Sequence, residues 1–154
     1  MVKFADDTTL EGLIANGDES RYREEVLELV NWCDQNNLEL NVSKTKELTI
    51  DFRKTHFDPV PLEIKGKTVE IVKDFKFLGL VISNDLKWEK NTEKIVKKAQ
   101  QRLYFLRRLK KFGLKSDILV NFYRAIIESV LTFGITVWYG NISKAETTAL
   151  NRIV

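Results

Sequence analysis

Cysteine, histidine and proline are scarce in this sequence, and the first two scarcities each exclude a class of protein. Among 154 residues there are one cysteine, one histidine and two prolines. The single Cys33 excludes an internal disulfide and a cysteine-rich zinc site, and it favours a reducing setting. The single His56 begins a His-X-Asp pattern at residues 56–58, but the facial triad of iron-dependent oxygenases needs a second histidine. The sequence therefore indicates neither a disulfide framework nor such an oxygenase.

Secretory signals and uninterrupted apolar runs are also lacking. The first residues turn acidic at Asp6 and Asp7 before an apolar segment could form. The longest apolar stretch, residues 118–139, contains Arg124 and Glu128, which lie four residues apart and could pair on a helix. We therefore expect a buried helix there rather than a membrane helix. The expected protein is intracellular, nuclear or cytoplasmic, is not secreted and has no membrane partner.

Charge is unevenly distributed along the chain, although the net charge is only +3. Residues 1–86 carry eleven Lys and Arg against seventeen Asp and Glu, whereas residues 87–111 carry ten against two. A basic block beside acidic and near-neutral chain indicates a partner rather than general solubility. The phosphate backbone of a nucleic acid is the commonest such partner.

The apolar pattern predicts an α+β fold whose character changes once, near Asn84 and Asp85. Residues 1–84 alternate as expected for short strands around one helix at residues 21–36. Strands are predicted at residues 8–14, 47–52 and 75–82, with a hairpin at 62–71 that turns at 65–67. The third of these strands is nearly continuously apolar, which predicts cover on both faces.

The remaining residues, 85–154, predict three helices. Gly113 ends the first by the usual glycine signal, and Ser116 is a suitable N-cap for the second. Ser143 and Glu146 form a capping-box pattern that opens the third. The helices are predicted at about residues 89–111, 117–133 and 144–154. Because both ends of the chain are abrupt, we expect the natural protein to extend in both directions.

Two adjacent carboxylates, Asp6 and Asp7, stand in the sequence FADD at residues 4–7. Between extended segments, such a pair can hold Mg²⁺ at a tight turn. Two-metal phosphoryl transfer needs an arrangement of this kind. The tetrapeptide alone is weakly specific, because paired aspartates in a polar turn are usually only solvated.

The wider context resembles reverse transcriptases. The sequence FADDTTL at residues 4–10 resembles their aromatic-X-Asp-Asp hairpin, and LNVSKTK at residues 40–46 resembles the next palm motif. The sequence FKFLG at residues 75–79 resembles the strand motif that grips the primer terminus. Residues 97–109 and 122–140 resemble the thumb of LINE-type, non-LTR retrotransposon enzymes. The resemblance covers nearly the whole chain and implies a partial palm followed by a helical thumb.

By this resemblance the chain is a fragment of an RNA-directed DNA polymerase. Asp6 would bind Mg²⁺, and Asp7 would support the turn and contact metal or primer. Lys44 or Lys46 would lie beside the phosphates of the incoming dNTP, and we prefer Lys44; either lysine is otherwise simply solvated. RNA template and DNA primer would be the partners. The primer grip would comprise Phe77, Leu78 and Gly79, which without the resemblance are core strand residues.

The chain departs from the family in one respect that affects activity. Polymerase palms use a third carboxylate on an earlier strand together with a fingers domain, and only five residues precede Asp6. We therefore predict that this chain alone does not polymerise. The alternative interpretation is a non-catalytic nucleic-acid-binding or protein-interaction remnant. The sequence does not indicate an oligomeric state.

The first predicted thumb helix indicates phosphate contact independently of the resemblance. Each neutralised phosphate releases counterions, so such a helix can bind nucleic acid without reading its sequence. A merely solvated helix face is the alternative. Tyr104 and Phe105 interrupt the charge and could stack on bases, but we expect them to pack in the core. The basic residues of this helix are Lys90, Lys94, Lys97, Lys98, Arg102, Arg107, Arg108, Lys110 and Lys111.

Residues 73–154 also resemble the N-terminal region of the AlkB-homologue-8 family. By that resemblance alone, an oxygenase or methyltransferase activity would be attributed to the chain. The lone His56 argues against oxygenase chemistry in this chain, because the iron site of such enzymes takes two histidines.

Overall fold

The computed structural model describes residues 1–4, 7–53 and 59–154. The chain has an α+β fold, which confirms the predicted fold class. It divides into two compact units, Met1–Val72 and Lys73–Val154. The sequence predicted the boundary between the strand-containing part and the helical part near Asn84. The division lies earlier because the hairpin that precedes this residue contacts the long helix that follows it.

The helix of the first unit, α1 (Ser20–Gln35), forms where the sequence predicted it. Its apolar residues recur at helical spacing, and Val26, Val30 and Cys33 are buried on one face. Asp18 accepts hydrogen bonds from the backbone N–H and the hydroxyl of Ser20, at 2.9 and 2.6 Å, just before the helix begins. The buried residues of this unit's core, besides Cys33, are Val26, Val30, Val42, Leu62, Ile64 and Val69.

The strands of the first unit are shorter than the sequence predicted. β1 (Val2–Phe4) and β2 (Asp7–Thr9) form an antiparallel pair, and β3 (Lys46–Glu47) pairs in parallel with β6 (Glu70–Ile71). The predicted strand 8–14 therefore ends at Thr9, and the predicted strand 47–52 is reduced to β3. Beyond these points the described chain offers no partner strand for a hydrogen-bonded ladder. The alternating apolar residues Leu13 and Phe52 are accordingly exposed.

The hairpin predicted at residues 62–71 is confirmed in its turn. β4 (Glu63–Ile64) pairs antiparallel with β5 (Lys67–Thr68). Lys65 and Gly66 between them have φ angles of 51° and 72°. Positive φ at both central residues is the signature of a type I′ turn, which matches the twist of the two strands.

The second unit begins with a hairpin where the sequence predicted one continuous strand. β7 (Asp74–Phe77) pairs antiparallel with β8 (Leu80–Ser83), and Phe77 lies opposite Leu80. The prediction of a single strand over residues 75–82 is therefore wrong. The chain reverses at Leu78 and Gly79, whose φ angles are 45° and 97°. A continuous apolar run concealed this turn, because only its glycine is a turn residue.

The long helix α2 (Glu89–Lys111) has the predicted bounds. Gly113, with φ of 75°, follows its C-cap as predicted. Its apolar stripe packs into the core, and Ile95 and Ala99 are buried. The core of this unit also contains Trp88, Ile127, Leu131, Trp138, Leu150 and Ile153.

The second predicted helix is a composite. α3 (Ser116–Phe122) continues into a π-helical segment, Tyr123–Glu128, and then α4 (Ser129–Leu131). Ser116 is the first helical residue rather than the N-cap, and the helix stops before residue 133 because Gly134 adopts a left-handed conformation. No ion pair joins Arg124 and Glu128 in this described segment. The i→i+5 pattern of a π-helix takes residues four apart out of alignment.

The chain ends in α5 (Ile135–Trp138), a short 3₁₀ turn and α6 (Lys144–Asn151). The predicted capping box is confirmed: the backbone N–H of Glu146 donates to the Ser143 hydroxyl, and the Ser143 N–H donates to the Glu146 carboxylate. α6 was predicted to reach residue 154, but it ends at Asn151 because Ile153 turns back into the core, where it is buried. By length and composition alone, the helical run Ser116–Asn141 could cross a membrane, which for one run is weak evidence. The expectation that this run is a buried helix is wrong, because only 11% of it is buried.

Candidate nucleic-acid interface

The two acidic residues of α2, Glu89 and Glu93, both lie among its first five residues. From Lys94 to Lys111 the helix contains no Asp or Glu. All of its nine basic side chains are exposed except Lys94 and Arg102, which are partly buried. The apolar stripe faces the core, and Lys97, Lys98, Arg107 and Arg108 lie away from it with their side chains exposed to solvent.

Two of these nine residues have an ion-pair or hydrogen-bond partner among the described residues. Lys90 forms an ion pair with Asp74 on β7. Arg102 donates a hydrogen bond to the backbone carbonyl of Ile126. These interactions hold α2 against the hairpin on one side and against the π-helical segment on the other. Charge counting alone could not separate these two residues from the remaining basic residues.

A cluster of three lysines joins the hairpin to the first half of α2. Partial burial lowers the pKa of Lys94, and the positive charges of Lys76 and Lys98 lower it further. Lys76 lies on β7, opposite Val81. Sequence reasoning did not include Lys76 in the basic surface, because it falls in the acidic part of the chain. The missing information was that the β7–β8 hairpin packs against the helix, chiefly through β8.

The last turn of α2 has the densest charge. Arg108, Lys110 and Lys111 lie in it, and Arg107 immediately precedes them. Cations at a helix C-terminus complement the helix dipole, which gives part of this cluster a structural explanation. Arg108 also lies over the Phe112 ring, 5.7 Å from its centroid. Together with Arg107, the three cations of the last turn carry more positive charge than the helix dipole accounts for.

Tyr104 and Phe105 do not pack in the core, and the expectation that they would is wrong. Each is 57% exposed. Their rings contact each other edge to face, with centroids 5.7 Å apart. They follow Leu103 on the helix by one and two residues, which rotates them away from the buried stripe. Two exposed aromatic rings therefore stand among the basic side chains of α2.

The carboxylate motif falls partly outside the described residues. Asp6 and His56 with Asp58 all lie outside them. Asp7 is exposed at the start of β2 and lies opposite Phe4 on β1. Asp7 is therefore in a strand of an antiparallel pair and not in a helix. Within the described ranges no three His, Cys, Asp or Glu side chains are grouped as metal ligands. A magnesium site at Asp6 and Asp7 stays a prediction.

The two candidate nucleotide-binding lysines differ in their surroundings. The Lys46 ammonium forms an ion pair with Glu70 and lies 3.4 Å from the Ser43 carbonyl. Lys44 is exposed in a turn, where its backbone N–H donates to the Asn41 carbonyl at 3.0 Å. Its ammonium has no hydrogen-bonding or ionic partner in the described part of the chain. Lys44 is thus the one available to an incoming anion.

The candidate primer-grip residues lie at the tip of the β7–β8 hairpin. Phe77 ends β7, while Leu78 and Gly79 form the turn. A Cβ atom on Gly79 would lie 2.8 Å from the Phe133 ring, so the hairpin tip passes close to the end of the second helix. Leu78 remains 44% exposed. Phe77 is therefore the last residue of a strand, whereas Leu78 and Gly79 form a tight turn that passes close to Phe133.

Comparison with known proteins gives a partial match. Residues 88–129 match the family described as alkylated DNA repair protein alkB homolog 8, N-terminal. The match covers α2 and the second helix up to Ser129, which is well under half of the chain. It confirms the AlkB-homologue-8 resemblance over those residues. No curated protein and no solved structure matches the chain.

Proposed function

We propose that this chain is the end of the palm and the thumb of an RNA-directed DNA polymerase of the non-LTR retrotransposon kind. In this proposal α2 binds the phosphate backbone of the RNA–DNA heteroduplex. The observation that carries it is the set of α2 cations without an ionic or hydrogen-bonding partner among the described residues. These are Lys94, Lys97, Lys98, Arg107, Arg108, Lys110 and Lys111.

Like charges gathered on one helix face repel one another. Partial burial is the main cause that lowers the pKa of Lys94, and the positive charges of Lys76 on β7 and of Lys98 lower it further. A polyanion removes the repulsion and releases its own counterions when it binds. The match of residues 88–129 includes this helix and is compatible with the proposal, but it names no nucleic-acid substrate for the present chain.

The palm part of the proposal depends on the first unit. Asp7 at the strand end and Asp6 before it would supply carboxylate oxygens, which are the ligands that Mg²⁺ prefers. Bound there, Mg²⁺ would supply charge neutralisation for nucleotidyl transfer. Lys44 would contact the phosphates of a dNTP. Because this sequence includes neither the third carboxylate nor the fingers, we expect this chain alone to lack polymerase activity.

The binding half is tested by charge reversal on α2. A variant with Lys97, Lys98, Arg107 and Arg108 changed to Glu is compared with the parent in binding to a labelled RNA–DNA heteroduplex, by fluorescence anisotropy at several salt concentrations. We expect affinity to fall by more than about tenfold. The salt slope should flatten by about 0.9 for each phosphate that the variant no longer neutralises.

The matched control changes four exposed lysines elsewhere: Lys67, Lys73, Lys115 and Lys144 to Glu. The net charge change is the same, so a general electrostatic effect would weaken both variants alike. Equal weakening in the two variants, or unchanged binding by the α2 variant, would contradict a binding surface on α2.

The alternative is a non-catalytic nucleic-acid-binding or interaction remnant, which the same α2 surface also supports. The complete open reading frame that contains this chain separates the two. In that protein, Asp6→Ala should abolish Mg²⁺-dependent extension of a DNA primer on RNA, and Lys44→Ala should reduce it more than Lys46→Ala. Equal extension by the parent and Asp6→Ala would remove the catalytic assignment and leave the binding module.

A further inference from the structure

A pocket of about 330 Å³ lies where α2 meets the residues that follow α6. Gln100, Leu103 and Arg107 line it from α2, at intervals of three and four residues that place them on one helix face. Arg152 and Ile153 line it from the other side. Ile153 is buried in the same core as the α2 stripe, so the floor of the pocket is fixed.

The charges around this pocket are unbalanced. Arg107 and Arg152 are both exposed, and neither guanidinium group has an ion-pair or hydrogen-bond partner in the part of the chain that the structure describes. No acidic side chain is among the described lining residues. Guanidinium groups present several N–H donors in a fixed fork, which matches phosphate oxygens better than a lysine does. Two such groups at one pocket form a site for an anion.

The remainder of the lining is suited to more than an anion. Leu103 and Ile153 provide an apolar floor, and the Gln100 amide can both donate and accept hydrogen bonds at a base edge. The volume lies at the lower end of the range for small-molecule sites and exceeds what a lone phosphate group requires. A phosphate attached to a sugar and a base has the matching combination of charge, apolar surface and polar edge.

We propose that this pocket binds one nucleotide of a nucleic-acid strand, with Arg107 and Arg152 holding its phosphate and Gln100 contacting its base. The inference rests on the proposed function, because it places a strand on α2. It adds Gln100, which is uncharged, and Arg152, which lies outside the basic block of the sequence. It also extends the binding surface from one helix to the junction of two.

The test compares the parent chain with Arg152→Gln and with Lys144→Gln, which removes the same charge from the other end of α6. Binding of a short single-stranded deoxyadenylate is measured by anisotropy across a salt series. We expect Arg152→Gln to weaken binding by about tenfold and to reduce the salt slope by about 1. Arg152→Lys should recover only part of the affinity, and Lys144→Gln should bind like the parent.

A second measurement locates the ligand. On titration with the deoxyadenylate strand, NMR signals of the Gln100 side-chain amide and the Ile153 methyl groups should shift, and adenosine 5′-monophosphate should cause the same shifts at higher concentration. Inorganic phosphate should leave the Ile153 signals in place. Equal binding by mononucleotide and strand, or phosphate shifts that equal those of the nucleotide, would overturn the assignment.

The two proposals fail separately. Parent-like binding by Arg152→Gln, together with weakened binding by the α2 charge-reversal variant, would overturn the pocket and leave the α2 surface intact. Parent-like binding by both variants would overturn both.

Discussion

The guanidinium of Arg102 on α2 donates a hydrogen bond to the backbone carbonyl of Ile126. Ile126 lies in the π-helical segment Tyr123–Glu128. A π-helix shifts the main-chain pattern from i→i+4 to i→i+5, which changes the partners available to its carbonyls. Arg102 therefore ties two helices of the core together, although by composition it belongs to the basic surface.

Replacement of Arg102 should affect stability and not nucleic-acid binding. We expect Arg102→Gln to lower the free energy of unfolding by about 1 kcal/mol, because the Ile126 carbonyl is deprived of a charged donor. Heteroduplex affinity should stay within about twofold, since this guanidinium is already engaged. Urea unfolding and anisotropy measure the two quantities. Arg107→Gln is the control: it should lower heteroduplex affinity and leave the free energy of unfolding nearly unchanged. A greater fall in affinity for Arg102→Gln than for Arg107→Gln would contradict the structural role of Arg102.

The bounds of α2 were predictable from its sequence because apolar periodicity, charge and a terminal glycine all agree. The role of Arg102 was not predictable. Its partner is 24 residues away along the chain, and the carbonyl that accepts its hydrogen bond belongs to a π-helical segment. A pattern search tuned to a period of 3.6 residues gives no sign of such a segment. Local signals thus located the surface, and tertiary packing decided which of its residues are available.

Leu78 adopts a left-handed conformation beside Gly79, at the tip of the β7–β8 hairpin. Only glycine, asparagine and aspartate adopt this conformation readily, and a type I′ turn favours asparagine followed by glycine. We expect Leu78→Asn to raise the free energy of unfolding of the second unit by about 1 kcal/mol. Tryptophan fluorescence during urea unfolding measures it, since Trp88 and Trp138 are buried there.

Backbone strain of this kind lowers stability, and it is common at functional sites. The proposed function makes Leu78 part of a primer grip, and under that proposal Leu78→Asn should lower primer extension by the complete polymerase although the variant is more stable. Leu78→Asn that is no more stable than the parent would contradict the strain. The sequence missed this turn because Leu78 lies inside an apolar run, which is typical of a strand.

Asn91 is 1% exposed, and its side-chain oxygen accepts a hydrogen bond from the Val81 backbone N–H at 3.0 Å. This bond connects β8 to the first turn of α2. We expect Asn91→Ala to lower the free energy of unfolding by about 1–3 kcal/mol, because the Val81 N–H is left without its partner in a partly buried place. Asn121→Ala, at an exposed position, should change it by less than about 0.5 kcal/mol.

The comparison is made by urea unfolding with hydrogen exchange at the Val81 amide as a second measurement. Exchange at this amide should accelerate in Asn91→Ala and stay unchanged in Asn121→Ala. Equal protection in both variants would show that the Asn91 side chain does not hold the hairpin. Nothing in the sequence distinguishes Asn91 from other polar helix residues, since its burial depends on the hairpin that packs over it.

Asp85 organises the turn between β8 and α2. Its carboxylate accepts hydrogen bonds from the Ser83 hydroxyl at 2.6 Å and from the Lys87 backbone N–H at 3.0 Å. These bonds, with that from Ser83 the stronger, lower the pKa of Asp85 to about 2. The folded state therefore favours the charged carboxylate, and the sign of the pH dependence follows.

A pKa that is lower in the folded state than in the unfolded state stabilises the fold at higher pH. The contribution of Asp85 should be fully present above about pH 4 and should disappear as the pH falls towards 2. The Asp85→Asn variant lacks this contribution. Between about pH 4 and pH 2, the free energy of unfolding of the variant should therefore decline less than that of the parent. Glu128→Gln, which removes an exposed carboxylate from the same unit, should keep the parent's dependence on pH. Parallel curves for the parent and Asp85→Asn between pH 4 and 2 would show that the turn does not depend on this carboxylate.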